Sequence, residues 1–113
     1  MDVEKIKLAL QEFSKKRDWD QFHTLKNLAM ALSVEASELL EIFQWSRNKK
    51  NVKLKGLRKE RVSDEVADIM LYLIRFSDKA EINIEMACMK KIEKNKKKYP
   101  ISKFKGISKK YNE

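Results

Sequence analysis

VEASELLEIFQW, residues 34–45, decides how this chain is read. Its apolar residues recur at the spacing of a helix face, yet Glu35, Glu38 and Glu41 are interleaved with them. An inward carboxylate is costly unless something compensates its charge. A second run, DEVADIMLY at 64–72, carries Glu65 and Asp68 at the same i, i+3 spacing as Glu35 and Glu38. The two pairs call for one explanation.

Upstream, Leu25, Leu28, Ala29 and Leu32 join Ala36, Leu39 and Phe43 in a continuous inward stripe, predicting a central helix from about Thr24, an N-cap residue, to Trp45. Val3, Ile6, Leu10 and Phe13 mark an earlier amphipathic helix that stops near Lys16, and RDWDQFH at 17–23 breaks the pattern. SRNKKNVKLKGL at 46–57 reads as a polar, basic loop. A third helix follows from about Arg58 to Asp78, and a fourth from about Asn83 to Lys97, before Pro100. Only two glycines and one proline occur in 113 residues, which argues against a many-stranded β fold. The expectation is an all-α, antiparallel four-helix bundle formed by residues 1–100, with 101–113 as a basic tail.

The net charge of +9 invites a nucleic-acid reading, so its distribution matters. Ten lysines against two glutamates between residues 89 and 113 hold nearly all of it. The rival function, a basic helical module binding nucleic acid or a protein partner, would use this end and leave the inward acids unexplained. The single Cys88 forms no internal disulfide and is expected in the core. No apolar run approaches the length of a membrane span and MDVEKIK is unlike a signal peptide, so a cytoplasmic protein is expected.

On a helical wheel with Leu32 at zero, Glu35 and Glu38 fall at roughly 300° and 240°, beside Ala31 and Ile42, while Glu41 falls in the polar arc. With Val62 at zero, Glu65 and Asp68 fall at roughly the same two angles with Tyr72 between them. Four inward carboxylates oppose one another's ionisation, and a divalent cation relieves that conflict. An all-oxygen set suits Mg²⁺ or Mn²⁺, whereas one cysteine and one distant histidine do not make a zinc site. On the fourth helix Lys91, Asn95 and Lys98 continue the stripe of Ile84, Ala87 and Cys88, a row suited to polyphosphate beside the acids. Isolated acid pairs of this kind are more often solvated and paired with Lys or Arg; the repeat on two apolar-flanked faces favours the metal site.

The runs RDWDQFHTLKNLAMALSVEASELLEIFQW, DEVADIMLYL and KKIEKNKKKYP, in this order, resemble the MazG-like nucleotide pyrophosphohydrolases, most of all their dCTP pyrophosphatase branch. The resemblance implies a helical, oligomeric fold, dimer or tetramer, in which Glu35, Glu38, Glu65 and Asp68 hold Mg²⁺ and a nucleoside triphosphate is split into monophosphate and pyrophosphate. It implies phosphate contacts from Lys91 and Asn95, with Tyr72 as a further candidate. It also assigns Trp19, Trp45, His23 and Asn27 to the base side, although the tryptophans suit hydrophobic closure as well, and His23 and Asn27 suit a role in ordering the loop. Glu38 is the candidate for positioning or deprotonating the attacking water. One departure is Leu10, where some cytosine-preferring relatives carry a polar aromatic residue. Neither a membrane nor a nucleic acid is expected as a partner.

Overall fold

The computed structural model describes residues 1–45 and 53–106, and every described element is helical. Helix α1 spans Val3–Lys16, a 3₁₀ turn spans Asp20–Phe22, α2 spans Leu25–Phe43, α3 Gly56–Lys79, α4 Ile84–Lys98 and α5 Ile101–Phe104. Much of the expected 46–57 loop and the last part of the 101–113 tail lie outside the described residues.

Helix starts follow from capping chemistry. Asp2, Thr24 and Asn83 each accept a hydrogen bond from the backbone N–H three residues on, satisfying donors that the first turn leaves unpaired. The break between α1 and α2 has an equally local cause. Asp18 adopts φ +53°, a left-handed conformation that aspartate tolerates better than most residues, and Gln21 Nε2 donates to its backbone oxygen and its carboxylate. The chain reverses there, and Trp19 N–H closes on Ser14 O at 2.9 Å.

The chain forms two compact units, Met1–Glu81 and Ile82–Glu113. In the first, α2 packs most extensively on α3, and α1 lies against α3. Arg58 sits over the Phe43 ring at 5.1 Å, whereas Arg75, far along α3, reaches His23 just ahead of α2, so α2 and α3 run antiparallel. Leu28 and Ile74 are the fully buried aliphatic residues of this contact. In the second unit the Tyr99 and Phe104 rings meet edge to face at 5.1 Å, giving the segment after Pro100 a helical turn where a tail is expected.

Two expectations about burial are corrected. The α2 stripe is not uniformly inward: Leu32, Leu39 and Phe43 are half-buried with Ala31, Glu35 and Ile42, but Leu25, Ala29 and Ala36 are exposed. One neighbouring helix covers only one arc of α2, and the wheel identifies an apolar arc without dividing it. Cys88 is exposed, not core, because α4 buries none of its residues and its apolar stripe stays open together with Met86, Met89 and Ile92.

Candidate active site

Glu35 and Glu38 on α2 face Glu65 on α3, and one carboxylate oxygen from each lies within 4.8 Å of the others. Antiparallel packing of two helices, each with i, i+3 acids on the packed arc, brings them together. Glu35 and Glu65 are half-buried, whereas Glu38 is exposed at the rim, because its wheel position lies at the edge of the covered arc. Glu41 is exposed as well. Asp68, one turn beyond Glu65, lines the same cleft as Glu35 and acts on it electrostatically.

The electrostatics of the cluster are unfavourable as it stands. The Glu35 carboxyl is pushed up to about 7, first by hydrogen bonding with the neighbouring Glu65 carboxyl, then by burial, then by Glu38 and Asp68. Glu35 Oε2 and Glu65 Oε2 are both buried and have no hydrogen-bond partner. Three converging carboxylates, two of them with a buried orphan oxygen, fit a hard divalent cation, which prefers oxygen ligands and would cancel the repulsion.

A pH dependence follows. In the unfolded chain Glu35 ionises near its ordinary value of 4.5, and in the metal-free fold only at about 7. As pH rises through that interval the unfolded state gives up its proton first and is favoured, so metal-free stability is expected to fall between about pH 4.5 and 7. Thermal denaturation in EDTA should show this decline in the wild type and a shallower one in Glu35→Gln, and a saturating divalent cation should remove the difference at pH 8. Parallel curves for both proteins would contradict the strained cluster.

Beyond the acids, a cleft of ≈ 820 Å³ is lined by Leu10, Phe13, Trp19 and His23 on one side and by Asp68 and Tyr72 on the other. Trp19 meets Phe13 edge on at 5.6 Å and His23 at 6.5 Å, forming an aromatic wall of the kind that a flat ring stacks on. The Tyr72 hydroxyl is raised above its ordinary pKa, first by burial and then by Glu35 and Asp68, so it remains a hydrogen-bond donor. His23 is lowered, first by burial and then by Arg75, so it is neutral at physiological pH.

Of the remaining candidates, Asn27 and Trp45 fall elsewhere. Asn27 spends its side-chain amide on Phe22 O at 3.0 Å, where it ties the 3₁₀ turn to α2. Trp45 is 87% exposed and is not part of the cleft wall. Lys91, Asn95 and Lys98 share α4 in the second unit, Asn95 half-buried and the two lysines exposed.

Arg75 escaped the sequence reading. It is 5% exposed, lines the cleft, and bonds Asp20, Asp78 and His23. Its signal was a lone cation in the apolar run IMLYLIRF, in helical register with Asp68 and Tyr72. A cation amid apolar residues needs partners, and periodicity alone does not name them.

A family model for the MazG-like family matches residues 30–113. The chain is 32% identical over 113 residues to dCTP pyrophosphatase 1 from Rattus norvegicus and from Homo sapiens, an alignment covering 98% of this chain and 66% of each relative. The chain thus spans 66% of the length of those relatives. The crystal structure of a pyrophosphatase from Archaeoglobus fulgidus DSM 4304 aligns with a TM-score of 0.82 at 44% identity, covering 88% of this chain and 94% of that one.

Proposed function

The chain belongs to the MazG-like family, and we propose that it hydrolyses a nucleoside triphosphate to the monophosphate and pyrophosphate, with a dCTP-like deoxynucleotide favoured. The observation that supports this most is the junction of two chemistries in one cleft, a carboxylate cluster with buried orphan oxygens beside an aromatic wall. A nucleoside triphosphate has the matching pair, an anionic chain that travels with a divalent cation and a flat base. The named relatives, two dCTP pyrophosphatases and an archaeal pyrophosphatase, agree with that class of substrate.

Held by Glu35, Glu38, Glu65 and Asp68, Mg²⁺, or Mn²⁺ in its place, would polarise the phosphoryl oxygens and offset charge developing at the α-phosphorus. Glu38, the exposed member of the clustered glutamates, is the one open to bulk water and positions or deprotonates the nucleophile. Tyr72 donates a hydrogen bond to a phosphoryl oxygen, and Lys91, Asn95 and Lys98 remain the candidate phosphate contacts on α4. Trp19 stacks on the base with His23 beside it, and Asn27 holds the turn that carries both.

Self-association as a homodimer or homotetramer of an all-α domain over residues 1–100 completes the proposal. Met30, Val34 and Leu40 on α2 are more than half exposed, an apolar surface suited to a second copy, from which Trp45 would reach the base. Its proposed work is on the cytoplasmic nucleotide pool; among the described residues no helix is long and apolar enough to cross a membrane.

The test is pyrophosphate release from a panel of ribo- and deoxynucleoside triphosphates, with Mg²⁺ and with EDTA. Metal-dependent release of pyrophosphate and monophosphate in equal amounts, fastest for dCTP, is the expected result. Release of orthophosphate would overturn the reaction, and salt-sensitive DNA binding without turnover would restore the basic-module reading.

A further inference from the structure

The guanidinium of Arg75 is divided among three partners on two sides. Nη2 donates to Asp20, Nη1 to Asp78 Oδ2 at 3.4 Å, and Nε to His23 Nδ1 at 3.2 Å. Gln11 Nε2 holds the same Asp78 oxygen at 2.9 Å, so the arginine is braced from α1 as well. The contact with His23 admits one polarity only. A guanidinium has donors and no acceptor, so the proton between Nε and Nδ1 belongs to Arg75. A neutral imidazole with a bare Nδ1 carries its proton on Nε2.

We propose that Arg75 is a positioning residue that locks His23 in the Nε2–H tautomer, so that the imidazole offers the cleft a donor and accepts nothing from a ligand. The group it meets must then be an acceptor, either a ring carbonyl oxygen or an unprotonated ring nitrogen, such as cytosine presents side by side at O2 and N3. The opposite tautomer would suit a base N–H, and the arginine contact forbids it. Trp19, 6.5 Å from the His23 ring, is placed to stack on a base whose edge His23 reads. This ligand half rests on the nucleotide reading given above; the tautomer half does not.

His23 is the only histidine of the chain, so a long-range ¹H–¹⁵N imidazole spectrum needs no assignment. The free protein should give a single Nε2–H pattern, and an Nδ1–H or averaged pattern overturns the proposal. Adding α,β-imido-dCTP with Mg²⁺ should move Nε2 and its proton while Nδ1 stays bare. Binding by calorimetry without any change at Nε2 overturns the ligand half. Absence of binding by any nucleotide overturns that half together with the functional reading, while the free-protein spectrum decides the tautomer by itself.

Arg75→Lys keeps the charge and loses the Nε–H. It should average the tautomers and raise KM for dCTP about 10-fold with kcat changed less than about threefold, the value of one hydrogen bond. Because Arg75 is buried, a second pair covers the case in which this variant misfolds. His23→Gln, whose amide can donate, should recover most of the efficiency lost in His23→Leu, and equal losses in the two overturn the donor role.

Discussion

Glu38→Gln and Asp68→Asn are each expected to lower kcat/KM by about 100-fold or more while the circular dichroism spectrum stays helical. Both changes remove a negative charge with almost no change in volume, so packing is spared and only the electrostatics of the cleft are altered. Glu38 supplies an oxygen to the carboxylate cluster, and Asp68 lines the cleft one turn from Glu65. Isothermal titration should show Mg²⁺ or Mn²⁺ affinity falling in step with turnover. Glu41→Gln, on the solvated side of the same helix, should be close to wild type. Unchanged metal affinity and turnover in the first two variants would remove the basis for the proposed reaction.

Trp19→Ala should have the next largest effect. Losing one stacking ring costs about 1–3 kcal/mol per base, or roughly 5- to 150-fold in kcat/KM for the preferred nucleotide. Its ring is 45% exposed and forms part of the cleft wall with Phe13 and His23, an arrangement open enough to admit a partner ring. Metal binding should be untouched, because the acids lie on other elements. Trp45→Ala separates the subunit question: an 87% exposed ring has an effect on efficiency only if another copy brings it to a base. Mixing Trp45→Ala with Glu38→Gln subunits should then restore activity above that of either alone. If Trp19→Ala keeps wild-type efficiency and base preference, the base binds elsewhere.

The acids were legible because two properties of the chain fix them jointly. Helical period sets which face Glu35, Glu38, Glu65 and Asp68 occupy, and antiparallel packing of α2 on α3 then brings Glu35, Glu38 and Glu65 together, with Asp68 in the same cleft as Glu35. Helix starts at Thr24 and Asn83 were equally readable, since a cap is a local event completed within three residues. Long-range pairing was not. The contacts of Arg75 with His23 and Asp20 span more than fifty residues of chain, and no spacing rule connects them. The exposed half of the α2 stripe, with Ala29 and Ala36, failed for a related reason, because amphipathicity reports how wide an apolar face is and not what covers it.

The division of labour between segments has an evolutionary consequence. The clustered carboxylates and Asp68 come from α2 and α3, whereas Leu10, Phe13, Trp19 and His23 come from α1 and the turn after it, a stretch of fourteen residues. If the proposed function holds, substitutions in that short stretch should retune which base is accepted without disturbing the acid cluster. Under the proposed function, a lineage built on this plan could therefore change diet by drift in one short segment, leaving the acid cluster intact at every intermediate step. Arg75 is the exception, an α3 residue tied to His23, and it marks where such drift would have to be matched by a compensating change.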